Sequence, residues 1–410
     1  MNEEIENVVL ERILRRQEKA NEEILKTIGE ILGEIGQLTP SDAYTIGQQL
    51  KYGESLQKII KIISETSNIS EVEIYKMLEA EARKNLELKR VYFEAKKVDF
   101  IPYEKNIALQ NKVREIAIAT VGTYRNISKT TGLTFLDKKG NRVTHKIKEA
   151  YNQIVDDAIM NVSTGKETFY ESLKNQLHTI GQSGVQSIEY ESGYHRRLDS
   201  ALRMNLSDGL NELAIAQQEI VGEQFGFDAY EVTVHAFPAP DHAPIQGHIF
   251  DIDEYEKLQD YNYYGDIKDI TGRTYTRSSD EHIRPIGQLN CYHNAFSIIK
   301  GVDRPRYSQE QLDKINEENK KGFQYEGKHY TLYDGTQLQR RLETQIRKNR
   351  EEQIITKASY EVATGEEKNK LKIELDKIKS NTNALLNKYH EVSKISGLPT
   401  KLERTRVLTK

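Results

Sequence analysis

The chain has 410 residues, more than one typical hydrophobic core supports, so two or three units are expected. With 30% charged and 37% hydrophobic residues, and a mean hydropathy of −0.70, it reads as a hydrophilic, helix-rich protein rather than an enzyme with a large buried interior. A net charge of −4 excludes a whole-molecule electrostatic binder of nucleic acid, and no run approaches the roughly 18 apolar residues of a membrane span.

The chain starts with acidic residues (Glu3, Glu4, Glu6) where a signal peptide would be basic, so export by that route is not expected. Apolar side chains at helical spacing (Ile5, Val8, Val9, Ile13, Ile24, Ile28, Ile31, Leu32) predict a helix over 4–35, ended by Gly36 and Pro40. The run Thr39-Pro40-Ser41-Asp42 reads as the start of a helix over 42–65. Asn68-Ile69-Ser70 then opens another over 71–97, with Ser70 and Glu73 as a capping box, and Pro102 breaks it. From 105 to 225 there is no proline. This stretch reads as helices interrupted at Gly122, Gly132, Gly140 and Gly165, with a turn at Lys138-Lys139-Gly140-Asn141. A helix opening at Tyr194 carries Leu198, Ala201, Leu202, Leu206, Leu210 and Leu213 on one face and ends at Gly222 and Gly226. Its arginines, Arg196, Arg197 and Arg203, suit either DNA phosphate or, as the commoner use, salt bridges.

Residues 229–235 alternate and are β-branched, which predicts a strand. The strand leads into the most distinctive stretch of the chain. Residues 235–293 hold five of the ten histidines, the only cysteine and four of the eight prolines. Beyond it, Ser308-Gln309-Glu310-Gln311 is a capping box opening a helix to about Lys321, and Glu326-Gly327 sits between two short runs as a tight hairpin. Helices over 334–363 and 367–393 follow, separated near Gly365. Their narrow apolar stripes suit an antiparallel hairpin or a partner-binding arm. From Gly397 the tail is basic (Lys401, Arg404, Arg406, Lys410 against Glu403) and too poor in apolar residues to order without a partner.

Two sub-motifs anchor the central stretch. One is His235-Ala236-Phe237-Pro238-Ala239-Pro240-Asp241-His242-Ala243-Pro244-Ile245-Gln246-Gly247, the other Gln288-Leu289-Asn290-Cys291-Tyr292-His293-Asn294-Ala295-Phe296. In this order, and followed by Gly301-Val302-Asp303-Arg304-Pro305-Arg306-Tyr307-Ser308, Tyr325-Glu326-Gly327-Lys328-His329-Tyr330 and Gln337-Leu338-Gln339-Arg340-Arg341-Leu342-Glu343, they resemble the phage minor capsid protein 2 family. More distantly they resemble the Mu F-like head morphogenesis domain. The resemblance covers about residues 190–360; the part before it matches in helical character alone. It implies a structural protein, present in few copies inside a bacteriophage head near the portal, and no enzyme. It further implies that the histidine and cysteine positions are a fold core rather than a catalytic centre. Implied partners are the portal protein and the major capsid or scaffolding protein, with packaged DNA a candidate for the basic tail and no membrane. The implied locations are the virion and, during assembly, the host cytoplasm.

The residues support a metal reading beside the structural one. His242, Cys291 and His293 offer nitrogen and sulfur ligands, with His235 or His248 as a fourth, a donor set suited to zinc. Cys291 and His293 stand two apart, so on an extended segment they face the same way. The alternative is that these side chains hydrogen-bond across a proline-stiffened domain. A nucleophilic set of Cys291, a histidine and Asp241 is the weaker chemical reading, because no cysteine-hydrolase signature surrounds Cys291. Function therefore reads as a minor capsid or head-morphogenesis protein acting by binding, with a metal-dependent hydrolase or nuclease as the competing class. The expected fold is mainly α with a small α+β His/Cys domain and long helices at both ends. The expected units are helical regions 1–101 and 102–227, the small domain 228–332, a helical hairpin 333–396 and a basic tail 397–410.

Overall fold

The structure, a computed structural model, describes residues 3–38, 42, 45–164, 169–188, 195–280, 282–288, 291 and 293–407. Its fold is mainly α, with long helices at both ends and a small α+β region that carries the His/Cys cluster.

Helix α1 (Glu3–Ile35) buries Ile13, Ile24, Leu25, Ile28, Ile31 and Leu32 along one face. Helix α2 (Ile46–Leu88) starts at Thr45, whose side chain accepts the Gln48 N–H. The expected start signal at 39–41 lies outside the described residues. The expected break at 68–70 does not occur, and α2 runs straight through it. Ile59, Thr66, Ile74 and Leu78 stay in phase on one buried face, so continuing the helix keeps the stripe on the core while a new start would rotate it away. After the short α3 (Arg90–Lys96), Pro102 introduces a 3₁₀ turn (Tyr103–Lys105) and then α4 (Ile107–Lys129), capped by the Asn106 side chain at the Leu109 N–H. Gly122 lies inside α4 and does not interrupt it.

The stretch expected to be wholly helical contains a four-stranded antiparallel sheet. Strands β1 (Thr131–Leu136) and β2 (Arg142–Lys146) form a hairpin around the predicted turn, where Gly140 takes φ +81°. After α5 (Ile147–Thr164) and α6 (Phe169–Ser183), β3 (Val185–Ile188) pairs with β1, and β4 (His195–Arg197) with β3, in the order β2-β1-β3-β4. The expected break at Gly165 and the expected helix start at Tyr194 lie outside the described residues. Residues 195–197 are strand, so helix α7 (Leu198–Phe225) begins after them. Gly222 sits within α7 against the Phe227 ring, and Gly226 (φ +69°) is the residue that ends it. Helix α7 packs on α4, where Gly209 meets Thr120 and the Asn205 amide donates to the Thr120 carbonyl.

The small region follows. Strands β5 (Ala229–Val232), β6 (Ile249–Asp251) and, after an excursion, β9 (Ala295–Ile298) form an antiparallel sheet with β5 central. The excursion holds helix α8 (Ile252–Gln259) and a hairpin of β7 (Gly265–Lys268) and β8 (Thr274–Arg277). Val232, Ile245, Phe250, Leu258, Ile267 and Ile286 form its apolar core, distinct from the large helical core. Buried Arg277 donates to the carbonyls of Lys257, Leu258 and Asp260 at the end of α8, where a helix leaves its last carbonyls unpaired.

Helix α9 (Gln309–Lys321) opens with the predicted Ser308/Gln311 capping box. Strands β10 (Phe323–Tyr325) and β11 (Lys328–Tyr330) form the predicted hairpin, with Glu326 and Gly327 both at positive φ, as a two-residue turn of this hand requires. Helices α10 (Leu332–Val362) and α11 (Gly365–Ser396) pack on each other, but they are no free arm. Helix α10 lies along α1 and α6 at glycine contacts. A Cβ on Gly29 would fall 2.9 Å from Ala358 Cβ, and one on Gly181 would fall 2.7 Å from Glu352 Cβ. The tail also departs from expectation. It turns back onto α10 and α11, burying Leu398, Thr405 and Val407, and the Lys401 N–H donates to the Tyr389 hydroxyl.

Candidate functional site

Strand β5 delivers the chain into the His/Pro segment, and β9 leads away from the Cys/His segment. The pairing of β5 with β9 therefore brings the two sub-motifs side by side. Pairing continues past the strands, where the Thr233 N–H donates to the Asn294 carbonyl and the Asn294 N–H to the Thr233 hydroxyl. In the first segment three prolines fix φ, and the chain coils tightly. The His242 and Ala243 N–H groups donate to the Ala239 carbonyl, and the Ile245 and Gln246 N–H groups to the His242 carbonyl. Gly247 ends this coil at φ +73°, against Leu312 of α9. The second segment is held to α7 by Asn211, whose side-chain amide donates to the carbonyls of Gly287 and Cys291.

These constraints bring His242, Cys291 and His293 together, all buried, with one potential ligand atom from each lying within 4.8 Å of the others. His242 Nδ1 is 3.2 Å from His293 Nδ1. Cys291 Sγ is 3.3 Å from the first and 3.5 Å from the second. The outer ring nitrogens face acceptors. His242 Nε2 donates to the Arg284 carbonyl at 2.9 Å, and His293 Nε2 donates to Gln246 Oε1 at 3.3 Å. That oxygen also accepts the His235 backbone N–H at 2.9 Å, which fixes the orientation of the Gln246 amide. The His293 backbone N–H donates to the Cys291 sulfur at 3.3 Å.

Burial first, then the neighbouring His235 and His242, pushes His293 down to about 2, and burial likewise lowers His242, so both imidazoles are neutral near pH 7. Burial also holds the Cys291 thiol above its usual range, the opposite of what an activated nucleophile needs. Asp241 forms a two-point ion pair with Arg284 (2.8 and 3.0 Å); its Oδ2 is also 3.5 Å from His242 Nε2, farther than the Arg284 carbonyl at 2.9 Å, which is the nearer partner of that ring nitrogen.

Of the other histidines, His235 sets its ring edge against His293, at 4.2 Å between centroids, outside the three-ligand group. His248 belongs to a separate network with Asp269 (3.2 Å) and Arg273 (3.0 Å). The supporting roles of Gln246, Asn211 and Arg284 were not among the expected site residues. Arg197, weighed for DNA, is instead buried in ion pairs with Asp199 and Glu351 of α10.

The cluster sits on one wall of a cleft of about 910 Å³ that is also lined by Arg203, Tyr333, Arg340, Glu343 and Arg404. The cleft thus joins the small region to α7, α10 and the tail.

The model of the family described as phage minor capsid protein 2 matches residues 10–384. The chain belongs to this family. The match reaches well past the central motifs, through α1 to α6, where the sequence shows only helical character. No curated protein and no solved structure matches the chain. This minor capsid protein is therefore a phage structural protein and a component of the viral particle. Among its described residues no helix is long and apolar enough to cross a membrane.

Proposed function

We propose that this minor capsid protein acts by binding, inside the phage head near the portal vertex, and assists head assembly or genome packaging. The observation that carries the reading is family membership over 10–384, which takes in the helical frame and the His/Cys region together. The construction of the molecule suits the role. Long helices are locked by glycine contacts between α10, α1 and α6, and the small region is pinned to α7 by Asn211. Such a frame holds docking surfaces at fixed positions.

The partners proposed are the portal protein and the major capsid or scaffolding protein, met in the host cytoplasm during assembly. Packaged DNA is a further candidate for the tail, where Lys401 is exposed and Arg406 stays exposed between buried Thr405 and Val407. Cross-linking mass spectrometry on purified particles tests the reading. Cross-links from this chain to the portal protein are expected. Cross-links confined to the outer capsid surface or the tail would overturn it, and DNA hydrolysis by the purified protein would favour the enzymatic alternative.

A further inference from the structure

The three inner atoms of the cluster form a triangle of a particular size. In a tetrahedral zinc site, with Zn–N near 2.05 Å and Zn–S near 2.3 Å, the N···N edge is about 3.3 Å and each N···S edge about 3.6 Å. The observed edges are 3.2 Å for His242 Nδ1 to His293 Nδ1, and 3.3 and 3.5 Å from Cys291 Sγ to each nitrogen.

Proton accounting points the same way. His242 Nε2 faces the Arg284 carbonyl and His293 Nε2 faces Gln246 Oε1; neither oxygen can donate, so each ring carries its proton outside. Both Nδ1 atoms then present lone pairs to each other. Among the described residues the Cys291 thiol brings one hydrogen to those two acceptors, which leaves the second lone pair for a cation to match. Outer N–H groups bonded to carbonyl oxygens are also the arrangement that orients metal-bound histidines.

We propose that His242 Nδ1, Cys291 Sγ and His293 Nδ1 are the protein ligands of one zinc ion, whose fourth position is taken by water from the adjoining cleft. On binding, the thiol loses its proton to solvent and a zinc–thiolate bond replaces the S–H bond, so one proton is released per ion. The ion clamps the 239–247 coil to the segment that enters β9, two parts of the chain otherwise joined by the β5–β9 pairing and a few polar contacts. Among the described residues no fourth His, Cys, Asp or Glu belongs to the group, and its three members all line the cleft, which makes the fourth position reachable from outside. This inference is independent of where the protein sits in the particle.

The test is elemental analysis of the full-length chain, purified under reducing conditions without chelator. About one zinc per chain is expected, retained by His248→Ala and lost from Cys291→Ala and His242→Ala. Should the ligand variants misfold, two measurements on folded protein decide. Replacement of zinc by Co(II) in the wild type should give a thiolate-to-cobalt charge-transfer band. Gln246→Leu, which removes an outer partner and no ligand, should weaken binding by roughly 10–100-fold. A folded wild-type chain that neither retains zinc nor develops the cobalt band overturns the proposal, as does zinc binding that survives in folded Cys291→Ala.

Discussion

The Nδ1 atoms of His242 and His293 face each other at 3.2 Å across 51 residues of sequence. Neither helix nor strand periodicity brings them there. The β5–β9 pairing does, together with a coil stiffened by Pro238, Pro240 and Pro244.

Gln246 holds that relationship in place. Its Oε1 accepts from both the His235 backbone and the His293 ring, in a buried setting. Gln246→Ala leaves two donors without that acceptor, and each unmet buried group costs about 1–3 kcal/mol. A loss of roughly 2 kcal/mol is expected in urea unfolding of the metal-free protein. An unchanged midpoint would show that water replaces the amide at no cost.

Glycine positions divide by their surroundings. Gly29→Val should push α10 away from α1, because even a Cβ would fall 2.9 Å from Ala358; overpacking of this kind costs about 1–3 kcal/mol. Gly122→Ala, inside α4 with nothing within 4 Å of its added Cβ, should instead stabilise by about 0.5–1 kcal/mol. Thermal unfolding of the two variants should shift in opposite directions.

Stability should respond to pH through Glu18. Burial, followed by the Asp199 carboxylate, pushes Glu18 up to about 7 in the folded protein, against about 4.5 when unfolded. The folded state therefore binds more protons between those values. The contribution of the neutral form is complete below about 4.5 and is lost as the pH rises through 7. Glu18→Gln should remove this slope and, because the group is only partly buried, stabilise the protein at pH 8 by on the order of 1 kcal/mol. Parallel stability–pH curves for the variant and the wild type would contradict the assignment.

Truncation after Ser396 should damage the fold, not merely remove a loose end. It deletes buried Leu398 and Val407, together with Thr405, whose hydroxyl accepts from the Arg350 guanidinium at 3.2 Å. Burying a single large apolar side chain contributes roughly 1.5–3 kcal/mol, so a loss of about 3 kcal/mol is expected. Equal stability of the truncated chain by denaturant titration would show that the tail packs without contributing.

What the sequence made legible was local or scarce. The Glu326-Gly327 turn and the Ser308 cap are set by residues within four positions of each other. His242, Cys291 and His293 stood out because rare side chains crowded into one stretch. The first sheet escaped for a physical reason. Strand β1 is buried from Thr131 to Phe135, so it shows none of the alternation that marks a half-exposed strand, and its Gly132 reads as a helix breaker. Ser70 misled in the other direction, since its capping word is overridden by a buried stripe that runs on through it. Gln246, Asn211 and Arg284 act on the cluster through polar contacts that leave no pattern in a single chain. The tail looked unstructured because its apolar residues are few, yet Leu398 and Val407 are both placed inward.

Quantitative mass spectrometry of purified phage particles tests the central claim most directly. The account predicts that this chain is present in every preparation, at a copy number comparable to that of the portal protein and far below that of the major capsid protein. Its absence from particles, or a copy number matching the major capsid protein, would contradict the account.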